Sequence, residues 1–170
     1  MAMRSSVSRS IFISSVFVLL LVCSGAPLKD LEAASSGEAQ YAVKKVIWDY
    51  RKAMNLKSDD SLIALYTADG KFVDESFGTE FVGPEELRSL YEGIFETNPS
   101  LTFTVFPWNI EVTGDYAFVT CSWSLVGNYG VYNGVYWVSM SKVADEWKIT
   151  KITAYITVIH YYSPPYLFLR

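Results

Sequence analysis

Between Glu38 and Leu56 the apolar residues Val43, Ile47, Tyr50 and Met54 recur at steps of three and four, a spacing that gathers them on one stripe of a helix. Ser58, followed by Asp59 and Asp60 ahead of "SLIALY", carries the N-cap and first-turn acids of a second, short helix running to Tyr66. The period then shortens. "KFVD" reads as a strand ending in a carboxylate, and Gly83-Pro84-Glu85-Glu86 opens a third helix with Leu87, Leu90, Tyr91, Ile94 and Phe95 on its buried side. From Leu101 onward four long segments rich in β-branched and aromatic residues are separated by Gly114-Asp115, Gly127-Asn128 and Asp145-Glu146. Three helices followed by long antiparallel strands predict an α+β fold with the helices on one side of the sheet.

The faces of those strands are apolar on both sides. Val119, Cys121, Trp123 and Leu125 share one face of their strand, and Phe118 leads the other. A homodimer formed through an open sheet face explains this pattern, and a wholly buried central strand explains it equally well.

The N-terminus departs from the rest. Arg4 and Arg9 precede an apolar run from Ile11 to Val22 that breaks at Ser24 and Gly25, so residues 1–26 read as a signal peptide, with cleavage as late as residue 35. The run falls short of the roughly 20 residues of a membrane span. The expected destination is secreted or periplasmic. Lipid attachment at Cys23 is disfavoured because Val22 precedes it where a small residue is required. Residues 27–37, small and polar, read as a linker, which leaves 38–170 as the folded domain. Loss of the leader leaves Cys121 alone, so packing must hold the domain together. Of 170 residues 51% are hydrophobic, and the net charge is -4 with Lys and Arg scattered, which excludes the basic stripe of a nucleic-acid binder.

The order of elements, together with "LIALYTADGKFVD", the Gly83 helix start and "EWKITKI", resembles the nuclear transport factor 2-like superfamily, in its SnoaL-like and ketosteroid-isomerase branches. The resemblance covers Glu38 to about Tyr162 and implies three helices packed on a strongly curved sheet, a cone with one internal pocket. In the isomerase pattern a Tyr, an Asp, a Gly and a Tyr follow at steps of eight, nine and eight; here these are Tyr66, Asp74, Gly83 and Tyr91. The resemblance implies Asp74 as catalytic base and Tyr50 as oxyanion donor, with Tyr66 and Tyr91 extending that hydrogen-bond network. The second acid of that family's oxyanion hole falls, on an ungapped count, on Ser139. Alternation along the strands adds Trp137 and Ile156 as candidate pocket walls, with the single histidine, His160, toward the pocket's end.

Each of these residues has a plainer reading. Asp74 can be a turn acid bonded to nearby backbone, and Tyr66 and Tyr91 can be core tyrosines. No second His, no Cys pair and no tight acidic cluster supports a metal, and no cofactor motif is present. Two functions therefore stand. One is cofactor-free proton transfer on a small apolar or aromatic compound, of isomerase, dehydratase or cyclase type. The other is a non-catalytic ligand-binding or association module.

Overall fold

Helix α1 spans Leu28–Leu56 in the computed structural model, which describes residues 28–162. It starts within the segment expected to be a linker: the chain is helical from Leu28, because nothing between Lys29 and Gly37 breaks the helix. The leader expected at residues 1–26 lies outside the described residues, and so does the tail from Ser163. The chain divides after Glu38, and the larger compact unit, which begins at Ala39, holds the sheet and the helices packed on it.

The stripe read from the sequence is the buried one: Val43, Ile47, Tyr50 and Met54 are each at most 2% exposed. Three residues beyond Leu56 comes α2 (Asp59–Ile63), capped by Ser58, whose hydroxyl accepts from the Ser61 N–H. It ends earlier than Tyr66, and β1 (Tyr66–Asp74) begins there. Strand β2 (Thr79–Val82) folds back on β1 and leads into α3 (Gly83–Thr97). Gly83 sits at φ +76, a left-handed backbone that a side chain would strain, which is why the strand can turn into Pro84 at the helix start. The Arg88 guanidinium on α3 pairs with Asp59 and Asp60 of α2.

Strands β3 (Thr102–Thr113), β4 (Tyr116–Val126), β5 (Gly130–Val143) and β6 (Glu146–Tyr161) form the antiparallel meander. The sheet has six strands in the order β2-β1-β6-β5-β4-β3. It is not antiparallel throughout, as the sequence pattern had implied. β1 lies parallel to β6, because it reaches the sheet from the helical side and docks on the last strand of the meander. Their register slips between Tyr66 and Lys71, where the residues of "TADG" bulge.

Asn55 fixes α1 to the free edge of the sheet. Its side-chain amide donates to the Phe103 carbonyl at 2.8 Å and accepts from the Phe103 N–H at 2.9 Å, replacing the neighbouring strand that an edge lacks. Tyr50, earlier on the same helix, is thereby held over the sheet.

The face assignment inverts for the proposed dimer contact. Val119, Cys121 and Trp123 are buried beneath the helices at 0%, 0% and 8% exposure, with Leu125 packed against them, so they are core and not an open face. Cys121 is enclosed well enough that burial pushes its thiol up to about 12. The opposite face carries the exposed aromatics Phe106, Trp108, Phe118, Trp137 and Tyr155. Register confirms the shared side: Phe106 pairs with Ser122, Ser122 with Val135 and Val135 with Tyr155.

Candidate functional site

The cavity begins with α1 and α3, which lay Tyr50, Met54, Leu90, Ile94 and Asn98 across the concave face of the sheet. The sheet answers with Phe72 and Asp74 from β1, Trp123 and Leu125 from β4, Tyr132 and Tyr136 from β5, and Ala154 and Ile156 from β6. Together they line a cavity of about 220 Å³. Among the described residues Asp74 is the one charged side chain in this wall, and no Lys, Arg or His lines it.

Phe72 and Asp74 face the cavity together because residues two apart in a strand share a side. Asp74 is also the last residue of β1. Its Oδ1 accepts from the Ser76 N–H at 2.9 Å and the Phe77 N–H at 3.3 Å, which closes the turn into β2. Ser76 extends the anchor: its Oγ accepts from the Ile156 N–H at 2.8 Å, while the Glu75 N–H donates to the Ala154 carbonyl. Both readings of Asp74 therefore meet in one residue. One oxygen is a turn acceptor, and Oδ2 makes no hydrogen bond among the described residues.

Three tyrosines form a buried chain behind the wall. The hydroxyls of Tyr66 and Tyr91 lie 2.6 Å apart, and those of Tyr91 and Tyr50 lie 3.2 Å apart. Proton counting gives the chain a direction. Each hydroxyl has one proton, and the Tyr66 hydroxyl has Tyr91 as its sole partner among the described residues. If Tyr91 donated to Tyr66, the Tyr66 proton would be buried with no acceptor, a cost of about 1–3 kcal/mol. Tyr66 donating to Tyr91 and Tyr91 to Tyr50 strands no proton, and the chain continues from the Tyr50 hydroxyl to that of Tyr136 in the cavity wall. Each donation polarises the next hydroxyl. Burial is the largest cause holding all three hydroxyls well above the ordinary tyrosine value; the charge of neighbouring phenols adds to it, and a hydrogen bond opposes it in part at Tyr66 and at Tyr91, so all three stay neutral.

Of the residues singled out in the sequence, Tyr50, Asp74 and Ile156 line the cavity, and Tyr66 and Tyr91 stand behind Tyr50. Trp137 and Ser139 do not reach it. On β5 the inward residues are Tyr136, Val138 and Met140, at 6%, 1% and 1% exposure, which puts Trp137 and Ser139 on the outer face. β5 and β6 slip register between Asn133 and Gly134 and again between Ser139 and Met140, on either side of this outward stretch. His160 pairs with Val131 and is exposed.

Tyr136 and Trp123 are the residues that sequence reasoning missed. Their rings stack at 5.1 Å, and Phe103 packs against both. The signal for Tyr136 was present: its face of β5 continues through Val138 and Met140, whereas the other face carries Ser139 and Ser141. Asn98, by contrast, spends its polar atoms on structure. Its amide donates to the Ile94 carbonyl and the Thr97 hydroxyl, and its oxygen accepts from the Asn128 N–H. Among the described residues no group of three His, Cys, Asp or Glu side chains converges on a metal position.

Residues 48–152 match the model of the SnoaL-like domain. No curated protein sequence matches the chain. Among solved structures, a protein from Novosphingobium aromaticivorans provisionally named a scytalone dehydratase superposes with a TM-score of 0.68 at 18% identity, over 78% of this chain and 93% of that one. The LinA-type3 hexachlorocyclohexane dehydrochlorinase of Novosphingobium barchaimii gives 0.67 at 16%, over 80% and 99%. A ketosteroid isomerase-like protein of Erwinia carotovora gives 0.59 at 21%, over 71% and 98%. At these identities the likeness is one of fold: the curved, unclosed sheet covered by helices is the nuclear transport factor 2-like, ketosteroid isomerase-like architecture.

Proposed function

We propose, for this chain, which belongs to the SnoaL-like domain family, that the cavity takes one small, uncharged, largely apolar compound bearing an oxygen and moves a proton on it without a cofactor. The observation that carries this reading is the buried hydroxyl chain Tyr66–Tyr91–Tyr50, which reaches a cavity wall that also holds Tyr136 and the Asp74 carboxylate. Tyr50 donates to the ligand's oxygen, and Asp74 accepts a carbon-bound proton on the oxygen that the turn does not use. A positioned base contributes about 10²–10⁴ in rate and a placed oxyanion donor about 10²–10³. A lining without a cation argues against carboxylates and phosphates as substrates, and the Trp123–Tyr136 stack favours a flat one.

The names of the three fold relatives support the reaction class: loss of water, loss of hydrogen chloride and isomerisation all move a carbon-bound proton. The test is binding and turnover of a panel of small enones, phenols and hydroxylated ring compounds by the wild type, Tyr50→Phe and Asp74→Asn. Saturable binding weakened by Tyr50→Phe, with turnover abolished by Asp74→Asn, is the expected result. A wild type that binds nothing in the panel would reject the reading.

A second reading, an association module, is favoured by the aromatic outer face of Phe106, Trp108, Phe118, Trp137 and Tyr155. So much exposed aromatic surface on one side of a sheet is what a homodimer contact buries. The two readings are compatible, since the cavity opens on the other face. We also read the chain as exported to the periplasm or beyond, from Arg4 and Arg9 ahead of the Ile11–Val22 run. Mass spectrometry of the protein from its native host tests this through the mass of the mature chain.

A further inference from the structure

We propose that the outward face of α1 between Tyr41 and Lys52 is a docking surface for a bilayer containing anionic phospholipid, on which the helix lies flat. The proposal is independent of the proton-transfer reading and uses no residue that lines the cavity. Opposite the buried stripe of Val43, Ile47, Tyr50 and Met54, the helical period lines up Tyr41, Trp48 and Lys52, with Lys44 and Arg51 along one flank and Lys45 along the other. Tyr41 and Trp48 are 63% and 37% exposed, and their rings meet edge to face at 6.1 Å. The Lys44 Nζ lies 5.2 Å from the centre of the Trp48 ring.

Charge is divided sharply between this helix and the rest of the domain. From Ala39 to Leu56 four cations stand against one acid, Asp49, whereas from Lys57 to Tyr162 six cations stand against fourteen acids, so a net +3 on α1 faces a net -8 elsewhere. Asp49 spends its charge on Lys45, at 2.6 Å. Lys44, Arg51 and Lys52 have no acidic partner among the described residues. An anionic surface therefore repels most of this protein and attracts α1, which fixes the side on which it lands.

Positive charge alone fits any polyanion, and the aromatic pair selects a bilayer. Trp and Tyr rings are apolar with one polar edge, which suits the headgroup level, and the stems of Lys and Arg lie along that apolar boundary while their heads reach phosphate. A helix face that only meets water carries charges of alternating sign in i,i+4 pairs, and this one centres on two outward rings. Among the described residues no helix is long and apolar enough to cross a membrane, so the contact made by α1 is one of lying on the surface.

The test is flotation of the protein, in the form purified from its native host, with vesicles of phosphatidylcholine alone and with a third of the lipid replaced by phosphatidylglycerol. Binding to the anionic vesicles, weakening as salt rises, is expected. Lys44→Gln, Arg51→Gln and Lys52→Gln together should weaken it about a hundredfold, at about 1 kcal/mol for each cation held near the surface. The same number of charges removed from the sheet, by Lys71→Gln, Lys142→Gln and Lys151→Gln, should change it far less. Trp48→Ala should weaken binding at high salt, where attraction between charges is screened and the ring's insertion remains. Circular dichroism checks that each variant is folded, and the two triple variants change exposed or half-exposed side chains only. No binding by the wild type, or equal losses in the two triple variants, would overturn the proposal. Binding to duplex DNA as tight as to the anionic vesicles, with Trp48→Ala without effect on either, would also overturn it and leave the face a general polyanion contact.

Discussion

The Tyr66 hydroxyl lies 2.6 Å from the Tyr91 hydroxyl and has no other hydrogen-bond partner among the described residues. Because that end of the chain is closed, the protons of all three tyrosines are ordered toward Tyr50 and the cavity. A buried polar cluster that could have been self-contained instead has an outlet.

Tyr91→Phe should break this order in the middle. It leaves the Tyr66 proton without an acceptor and deprives Tyr50 of its incoming bond, at an expected cost of about 1–3 kcal/mol. Thermal melting should show the loss. Tyr66→Phe, which removes the donor at the closed end and strands nothing, should cost less, and equal losses would contradict the direction assigned to the chain.

Alkaline pH should expose these three phenols together with Tyr136. Burial raises the ionisation of Tyr50, Tyr66, Tyr91 and Tyr136 above the ordinary 10.0. Above that pH the unfolded chain has released protons that the folded one still holds, so stability is complete below about 10 and falls as pH rises toward the folded values. Denaturant unfolding between about pH 8 and 12 measures the slope, and in Tyr91→Phe it should be shallower. A stability flat across this range would show that these phenols titrate normally.

Asp74 separates two roles by two substitutions. Asparagine keeps a carbonyl oxygen to accept from the Ser76 and Phe77 N–H groups, so Asp74→Asn should melt close to the wild type while losing proton transfer. Alanine loses the turn acceptor and should cost about 1 kcal/mol more. Two variants of equal stability would mean that the turn does not depend on this side chain.

Gly134 is expected to tolerate no side chain. A Cβ there would meet the Tyr155 carbonyl oxygen at 2.1 Å and the Trp123 ring at 2.7 Å, neither of which can withdraw without moving the strand or the cavity wall. Gly134→Ala should cost about 1–3 kcal/mol and weaken ligand binding by displacing Trp123. Chemical denaturation with a parallel titration checks both.

Self-association, if it uses the outer face, should respond to Trp137→Glu and not to a change at Trp123. Trp137 is 39% exposed on that face, and Trp123 is 8% exposed in the core. Trp137→Glu should shift sedimentation toward monomer with little loss of melting temperature, whereas Trp123→Glu should unfold the domain. A wild type that sediments as a monomer at all concentrations would remove the association reading.

Local pattern alone determined the helical stripe of Val43, Ile47, Tyr50 and Met54, the Gly83-Pro84 helix start, the meander and the carboxylate at the end of β1, because each depends on spacing within a few residues. The pairing of Asp74 with Phe72 on one face was legible for the same reason. Tertiary structure decided what depends on partners far along the chain. The two faces of β4 and β5 are both apolar, so no period shows which one the helices cover; the helices chose Val119, Trp123 and Tyr136, and Trp137 went outside. The register slips at Gly134 and Met140 lie between strands, where no count along one strand can see them. The order of the tyrosine protons is less local still: it follows from Tyr66 being closed off, and that closure exists only once α1, α3 and β1 have come together.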